Sequence, residues 1–518
     1  MAVGTIAPGE HNDERPPILL GGFAALAESV WMGAAQASDV LEPAHGTARL
    51  RRAVVPRLPR LQLAGLLTRE LTIPEATFVL MTSFFLSAML GAVRQILFNV
   101  QFGAGSEANA YYAAFRLPDT LFSLIAGGAL SSAMIPVLLS ATRDEGESAG
   151  WRLTSLVLTT LVAVFVLIVV AAELVAPRFV TTLLAPGFDA ETSRLTVVLT
   201  RIMLVQPVIL AVGSVATAVL NSRNQFLLTA ASVASHNIAL IAGIVAARAI
   251  PGVGIYGPTL GVIGGAVLQV AILLPGLVGG RFRYRPAWDS RDVRLREVIR
   301  LLIPNGLSVG VGYVGFIVDT AFASKAPESA GLPALQNAWM LVGLPIALLG
   351  QAVGQSAFPR LAAHAAAFEW ALMRRTVLRS MAVVAALAIP ALLGLLWLGR
   401  PVIHILFEHG TFAAVAGALT YAVLVPYAIA LPAYVCTEVV ARGLIALRDT
   451  RTPLATNSVQ VVGRAVLIAL LLGKVGIVAI PIALAIMATL ETVGLVAVLM
   501  LKLQRSMGTT FAERAHST

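Results

Sequence analysis

The chain has 518 residues, of which 58% are hydrophobic and only 12% are charged. Soluble domains carry about a quarter charged residues, so this composition excludes a soluble catalytic fold. The net charge of +10 fits basic loops that set membrane topology better than nucleic-acid binding, because no basic-aromatic motif accompanies it. The one cysteine, Cys436, excludes an intrachain disulfide and a cysteine metal site.

The first 74 residues are predicted to be a basic, disordered cytoplasmic extension. Arginines recur there between leucine, valine and proline, at Arg49, Arg51, Arg52, Arg57, Arg60 and Arg69. The same pattern is compatible with a segment that lies on an anionic membrane surface. Neither interpretation makes the extension part of the membrane core.

Apolar stretches of membrane-spanning length then follow one another to residue 501. Twelve spans are predicted, near residues 76–100, 110–140, 152–175, 194–221, 227–249, 254–279, 298–324, 333–361, 374–399, 414–446, 452–472 and 475–501. Arginine and lysine are enriched in alternate loops, which predicts that both termini are cytoplasmic. The fold class is therefore an all-α polytopic membrane protein.

Equivalent residues recur at a nearly constant offset. Pro136 and Pro359 are 223 residues apart, as are two similar segments around them, and the pairs Pro207/Pro432 and Arg223/Arg448 are each 225 apart. A duplicated six-helix unit explains these offsets. We expect an N-lobe at 75–280, a basic cytoplasmic linker at 281–297, a C-lobe at 298–502 and a cytoplasmic tail at 503–518, with a central cavity between the lobes.

Charges inside membrane spans are costly and mark candidate functional sites. In the predicted N-lobe, Arg94 is the first candidate to bind an anionic group such as pyrophosphate, because guanidinium offers several donors in a fixed fork. Arg116 is a second candidate, although a local ion pair with Asp119 is an equally good interpretation. Arg201 and His236 are further candidates for the cavity wall.

Three acidic residues lie within the spans of the predicted C-lobe. Asp319 and Arg464 are expected to form an intramembrane ion pair, and a role for Asp319 in ion coupling is the alternative. Glu438 is expected to pair with Arg442 four residues later on one helix face. Glu491 has no evident partner in the sequence and is a further coupling candidate.

Motifs for ATP hydrolysis, metalloprotease or serine-hydrolase chemistry do not occur in the sequence. The chain is therefore predicted not to be an enzyme and to need no cofactor or metal. Transport is expected to draw on an ion gradient, the membrane potential or the gradient of the substrate.

Several segments resemble the MviN/MurJ lipid flippase family of the MOP exporter superfamily. These segments are LGAVRQILFNVQFGAGSEANAYYAAFRLPDTL (90–121), GALSSAMIPVL (128–138), APGF (185–188), LNSRNQF (220–226), FEHGTF (407–412) and ARGLIALRDTRTPL (441–454). The resemblance implies two lobes around a cationic cavity in the bacterial cytoplasmic membrane. It also implies movement of lipid II, the undecaprenyl-pyrophosphate-linked peptidoglycan precursor, to the outer leaflet, with the bilayer and cell-wall synthesis proteins as partners.

This sequence departs from the family pattern at several cavity positions. Ala88, Phe122 and a position near Met340 stand where the family usually has arginine. Asn109 replaces an acidic residue of the family and is a further candidate for substrate binding in the cavity. Some members have a cation site in the second lobe, and this sequence has Arg464 in place of one of its polar ligands. The guanidinium of Arg464 is therefore expected to take the place of the bound ion beside Asp319. The sequence ends soon after the twelfth predicted span, whereas many members have two further helices that form a lipid-tail groove.

Two alternatives remain open from the sequence. One is an exporter of another polyprenyl-linked glycan or of a small molecule, although a drug exporter is expected to have a more acidic cavity. The other is a non-transporting paralogue that recruits cell-wall enzymes through its extension. Deletion of residues 1–70 distinguishes them, because a transporter core is expected to survive it.

Overall fold

The computed structural model describes residues 73–126, 129–279 and 282–516, and these residues are helical without any strand. The predicted extension and its arginines lie outside the described residues. The first half of the chain contains eight helices: α1 (Ile73–Phe102), α2 (Ser106–Ala126), α3 (Ala129–Glu145), α4 (Glu147–Phe179), α5 (Ala190–Met203), α6 (Val205–Ser222), α7 (Phe226–Ala249) and α8 (Tyr256–Gly279). A π-helical turn, Val180–Leu184, extends α4.

The second half repeats long helices of the same kind. They are α9 (Val293–Ser324), α10 (Gly331–Pro345), α11 (Ala352–Ala366), α12 (Trp370–Phe407), α13 (Ala414–Ala446), α14 (Arg451–Val475) and α15 (Ala479–His516). A π-helical turn, Ile346–Gln351, joins α10 to α11, and a 3₁₀ turn, Gly476–Val478, joins α14 to α15. The all-α polytopic fold class predicted from the sequence is confirmed.

Nine helical stretches within the described residues are long and apolar enough to cross a membrane. The predicted second span is not among them; the structure describes it as α2 and α3, on either side of residues 127 and 128, and α2 carries Arg116 and Asp119. Within α9 a shorter apolar segment runs from Val309 to Ser324, and the last two predicted spans fall in one stretch, Arg451–Met507. The number twelve therefore stays a prediction.

The turn after α6 and the turn after α13 have the same backbone geometry. The amide N–H groups of Asn224 and Arg448 donate to the carbonyls three residues earlier, and both residues have φ near +58° (58° and 59°). Gln225 N–H donates to Leu220 O, and Asp449 N–H donates to Leu444 O. These are the hydrogen bonds of a helix-ending Schellman turn, here repeated 224 residues apart. The repeat adds backbone geometry to the offsets seen in the sequence.

The conserved-looking motif at 441–454 is explained by helix capping. Asp449 accepts hydrogen bonds from the N–H groups of Arg451 and Thr452, at 3.1 and 3.0 Å, and from the ammonium group of Lys502 on α15. Burial by itself raises the pKa of Asp449, but the bonds from Lys502 and Thr452 outweigh it and lower that pKa to about 2. This motif therefore fixes the start of α14 and does not reach the cavity.

Helices α7 and α8 cross in close backbone contact at glycine. A Cβ added to Gly257 would lie 2.4 Å from the carbonyl oxygen of Gly243 and 2.6 Å from the Cβ of Ala247. Small residues allow membrane helices to approach this closely, and dispersion contacts and Cα–H···O bonds then stabilise the pair. This crossing holds α7, which carries cavity residues, against α8.

Gly257→Ala is expected to lower the thermal stability of the purified protein, because overpacking of a close contact costs about 1–3 kcal/mol. Gly264→Ala on the same helix is the matched control, since a Cβ there meets no atom within 4 Å. Unfolding followed by helix-sensitive circular dichroism in nanodiscs measures both. Equal midpoints for the two variants would contradict the close crossing.

Candidate functional site

A polar cavity lies in the first half of the chain, between α1, α2 and α7. One part has a volume of about 110 Å³ and is lined by Arg94, Gln95, Phe98, Tyr111, Tyr112, Phe115, Arg116, Asp119, Leu240, Ile244 and Gln336. A second part of about 340 Å³ shares Phe115 and Asp119 with the first. The structure therefore brings Arg94 and Arg116, predicted from the sequence, into one site.

Arg94 is half-buried and is positioned by α7. Its Nη1 donates to Oδ1 of Asn237 at 3.2 Å. The amide nitrogen of Asn237 in turn donates to the hydroxyl of Ser87, which lies about two turns before Arg94 on α1. One guanidinium nitrogen is thus used to orient the side chain. The remaining N–H groups are available to a ligand in the cavity, and a guanidinium offers five in all.

Arg116 extends from α2 to the second half of the chain. Its Nε donates to the hydroxyl of Thr320 at 3.2 Å, its Nη2 donates to Oε1 of Gln336 at 3.4 Å, and its guanidinium lies 5.4 Å from the ring centre of Phe316. The predicted ion pair with Asp119 does not form, because the side chain is directed towards α9 and α10. Arg116 therefore joins the cavity to the other lobe.

The larger part of the cavity is lined mainly by uncharged polar and apolar side chains. Its polar lining includes Ser131, Gln206, Ser214, Thr217, Thr229, His236, Asn237 and Gln269. Amide and hydroxyl groups of this kind can donate to and accept from the hydroxyls and amides of a glycan or peptide. His236, predicted as a wall residue, does line it, and Phe122 lines it where the family resemblance leads one to expect arginine.

Asn109 contacts the second lobe and is not one of the cavity-lining residues. Its amide nitrogen donates to the carbonyl of Ser329 at 2.5 Å, and its Oδ1 accepts from the N–H of Leu332 at 3.1 Å. The sequence predicts that Asn109 binds substrate in the cavity, whereas the structure places it against the backbone of Ser329 and Leu332. A neutral amide suits it, since the side chain must both donate and accept.

Three motifs from the family resemblance meet around Asn109 at one end of the molecule, which we call the interlobe seal (residues 99–109, 185–188, 324–332 and 408–412). Thr411 N–H donates to Val100 O at 3.0 Å, and Gly187 N–H donates to the hydroxyl of Ser324 at 3.0 Å. A Cβ on Gly410, which has φ +60°, would lie 2.3 Å from Val100 O. Only glycine allows this approach.

Glu408 fixes the loop that reaches across this seal. Its carboxylate is 4% exposed and accepts hydrogen bonds from Arg400 and from Nδ1 of His404, the latter at 2.7 Å. Burial by itself raises the pKa of Glu408, but the bonds from Arg400 and His404 outweigh it and lower that pKa. These ion pairs therefore hold the start of the loop against the end of α12.

A side-chain network continues the seal towards the cavity. The amide nitrogen of Gln95 donates to the hydroxyl of Tyr112 at 2.6 Å and to Oδ1 of Asn337 at 2.7 Å, and Asn99 donates to the same Oδ1 at 3.0 Å. Arg94 lies eight residues before the end of α1, or about 12 Å along the helix. The charged part of the cavity is therefore directly below this closed end.

A second pocket, of about 170 Å³, lies within the C-lobe and contains the predicted ion pair. Nη1 of Arg464 lies 3.5 Å from Oδ2 of Asp319, and the two residues are 5% and 7% exposed. Gly315, one turn before Asp319, makes space for the guanidinium, since a Cβ there would lie 1.9 Å from Nη2 of Arg464. Because Gly315 has no side chain, the guanidinium of Arg464 on α14 can lie against α9 at this point.

Glu491 lines the same pocket, where its Oε1 accepts a hydrogen bond from Thr456 at 3.4 Å. Glu438 is elsewhere, packed against Gly350 and Gly354 of the α10–α11 segment. Its charged group and that of Arg442 interact electrostatically but do not come within 4 Å, so the predicted ion pair is not a direct contact. Of the four acidic or paired candidates, the structure therefore brings together Asp319, Arg464 and Glu491.

Arg201 does not reach either cavity. It is exposed on α5, where its Nε lies 3.5 Å from the carboxylate of Glu173 and its Nη2 donates to the carbonyl of the same residue at 3.3 Å. The sequence placed Arg201 in the correct span but did not show which side of the helix it occupies. Glu173, near the end of α4, was the missing partner.

Sequence reasoning missed the residues that orient the arginines. Asn237, Thr320 and Gln336 are uncharged, and single polar residues are common in membrane helices. Only their position next to predicted site residues indicated two of them, since Asn237 follows His236 and Thr320 follows Asp319. Within the described ranges, His, Cys, Asp and Glu do not form a group of three or more that could hold a metal ion.

The described helices, with one pocket in each half and hydrogen bonds between the halves, have the fold of solved polytopic membrane proteins. A multidrug resistance MATE family transporter of the MOP superfamily in its inward-facing conformation has the same fold, with a TM-score of 0.70 over 82% of this chain and 96% of that one, at 12% identity. A structure of lipid II flippase MurJ in an inward closed conformation also matches with a TM-score of 0.70, over 85% of this chain and 93% of that one, at 21% identity.

The family model "Lipid II flippase MurJ" matches residues 98–516, so the chain belongs to that family. The lipid II flippase MurJ of Burkholderia cenocepacia is 31% identical over 378 residues, which are 71% of this chain and 72% of that protein. The probable lipid II flippase MurJ of Rhizobium tropici is 28% identical over 387 residues, or 72% and 71% of the two chains.

Proposed function

We propose that the protein translocates lipid II from the inner to the outer leaflet of the bacterial cytoplasmic membrane by alternating access. Family membership and the names of its relatives support this assignment. So does the cavity, which combines two arginines with a polar wall suited to a glycopeptide. The polyprenyl tail would remain in the bilayer beside the lobes.

The observation that carries the proposal is the double role of Arg116. This residue lines the cavity and also holds Thr320 and Gln336 of the opposite lobe. A pyrophosphate group bound between Arg94 and Arg116 would compete with the neutral acceptors on α9 and α10, because an arginine–phosphate pair is charged on both sides and can be bidentate. Substrate binding would then weaken one interlobe contact and favour rearrangement of the lobes.

The direction of transport follows from the predicted topology. If the N-terminus is cytoplasmic, α1 ends at the outer side, and the interlobe seal closes the cavity on that side. The structure would then represent a state that receives substrate from the cytoplasmic leaflet. Alternate exposure to the two sides needs only rocking of one lobe against the other.

The energy source is proposed to be an ion gradient or the membrane potential. The pocket that contains Asp319, Arg464 and Glu491 is the candidate for coupling, because three ionisable groups are gathered there in an otherwise apolar lobe. Collapse of the potential or of the proton or sodium gradient, one at a time in vesicles, would identify which of them drives transport.

A leaflet-accessibility assay for lipid II tests the function directly. With this protein as the sole flippase in a depleted bacterial strain, a membrane-impermeant enzyme that cleaves lipid II from outside is expected to reach most of it. Cells with the empty vector are the control. Lipid II that stays protected while the protein is present in the membrane would contradict the proposal.

A further inference from the structure

Asp119 is an unpaired carboxylate in the cavity. It lies on α2 and lines both parts of the cavity, together with Phe115. Its oxygens make no ion pair within 4 Å and no hydrogen bond to any residue that the structure describes. It is half-buried, and it lines both parts of the cavity.

The nearby cations do not neutralise this carboxylate by contact. Arg116 precedes it by three residues, a spacing that permits pairing on a helix, yet its guanidinium is directed to Thr320 and Gln336. Arg94 instead donates to Asn237. The cavity thus presents two cations and one anion as separate groups.

An anion in this place is unfavourable for a ligand that carries only negative charge. A pyrophosphate bound at Arg94 and Arg116 would lie close to Asp119, and like charges in a partly desolvated site repel each other. The same carboxylate is favourable if the ligand also carries a positive group. Hydrogen bonds between two charged partners are stronger than those between neutral ones, when their geometry is good.

We propose that Asp119 forms a subsite for a primary ammonium group, so that the cavity selects a zwitterionic headgroup with both phosphate and a free amine. This inference rests on the proposed function and deepens it, since it names the chemical class of headgroup. The peptide of lipid II supplies such an amine on its third residue. Gln206 and Gln269, on the wall shared with Asp119, offer further acceptors.

Binding of two matched lipids to the full chain in nanodiscs tests the subsite. One probe is lipid II with a free side-chain amine, and the other is the same lipid with that amine acetylated. Wild-type protein is expected to bind the free-amine lipid about tenfold more tightly, and Asp119→Asn, which keeps the shape of the side chain, is expected to reduce this ratio to about one. Arg201→Ala, on the outer surface, is expected to keep the wild-type ratio.

The possible outcomes separate the subsite from the function on which it rests. Equal binding of both lipids by the wild type would overturn the ammonium subsite and leave the flippase proposal intact. An equal loss for both lipids in Asp119→Asn would also overturn it, because the carboxylate would then act without reference to the amine, for example through a bound inorganic cation. No binding of either lipid by the wild type would contradict both proposals.

Discussion

Arg94→Ala is expected to abolish growth of a strain that depends on this protein as its only lipid II flippase. Arg94 is the cavity cation that is not engaged with the opposite lobe, so the negative charge of the headgroup depends on it most. Loss of a charge-assisted contact in a partly desolvated site costs about 2–5 kcal/mol, or more than a factor of 30 in affinity. Complementation, together with immunodetection of the membrane protein, measures the effect.

Arg201→Ala is the matched control for this experiment. It removes the same side chain from the same half of the protein, but from the pair with Glu173 on the outer surface. The two side chains are 48% and 32% exposed and line neither part of the cavity, so this variant is expected to support growth. Full complementation by Arg94→Ala would remove the anion site from the mechanism, and failure of both variants would show that loss of arginine acts through folding.

Arg464→Ala is expected to destabilise the C-lobe strongly. It leaves Asp319 buried without its partner, and breaking a buried ion pair from one side costs about 3–5 kcal/mol. Asp319→Asn is expected to cost a similar amount, since it leaves the buried guanidinium without a counter-charge and arginine stays protonated. Thermal unfolding of each variant, with transport measured in parallel, tests the pair.

The double variant Asp319→Leu/Arg464→Met separates a structural role from coupling. Apolar side chains of similar volume often replace a buried ion pair at little cost or with a gain in stability. If the pair also couples transport to an ion gradient, the double variant is expected to fold and to lose transport. Recovery of both folding and transport would restrict the pair to packing, whereas unchanged folding and transport in both single variants would contradict any role.

Most of the fold could be predicted from the sequence, because the patterns that indicate it do not depend on which residues contact each other. Hydrophobic length predicts membrane helices, and the constant offset between Pro207 and Pro432 predicts duplication. The number of spans was less accessible, because two predicted spans can lie in one continuous helical stretch, as they do in Arg451–Met507.

The candidate site could be predicted only in part from the sequence. The sequence shows which helix carries a residue, but it does not show which residue on another helix that residue contacts. Arg94 and Arg116 were located correctly, as was the approach of Asp319 to Arg464, since opposite charges in an apolar lobe have few other partners. Arg201 and Asn109 were misplaced because Glu173 and Ser329, their partners, are distant in the chain and ordinary in type. The carboxylate of Asp119 was taken for half of a local pair, and its unpaired state is visible only in three dimensions.

The interlobe seal consists largely of backbone groups, such as Thr411 N–H and Val100 O, at the end of a membrane protein where water is near. When the lobes separate, water can take over these hydrogen bonds, so each contributes only about 1 kcal/mol to the closed state. A handful of such bonds amounts to a few kcal/mol, which is the scale of the differential affinity that a ligand supplies. If the lobes rock as proposed, the hydrogen bonds of the seal oppose opening by an amount that the binding of a single headgroup can supply.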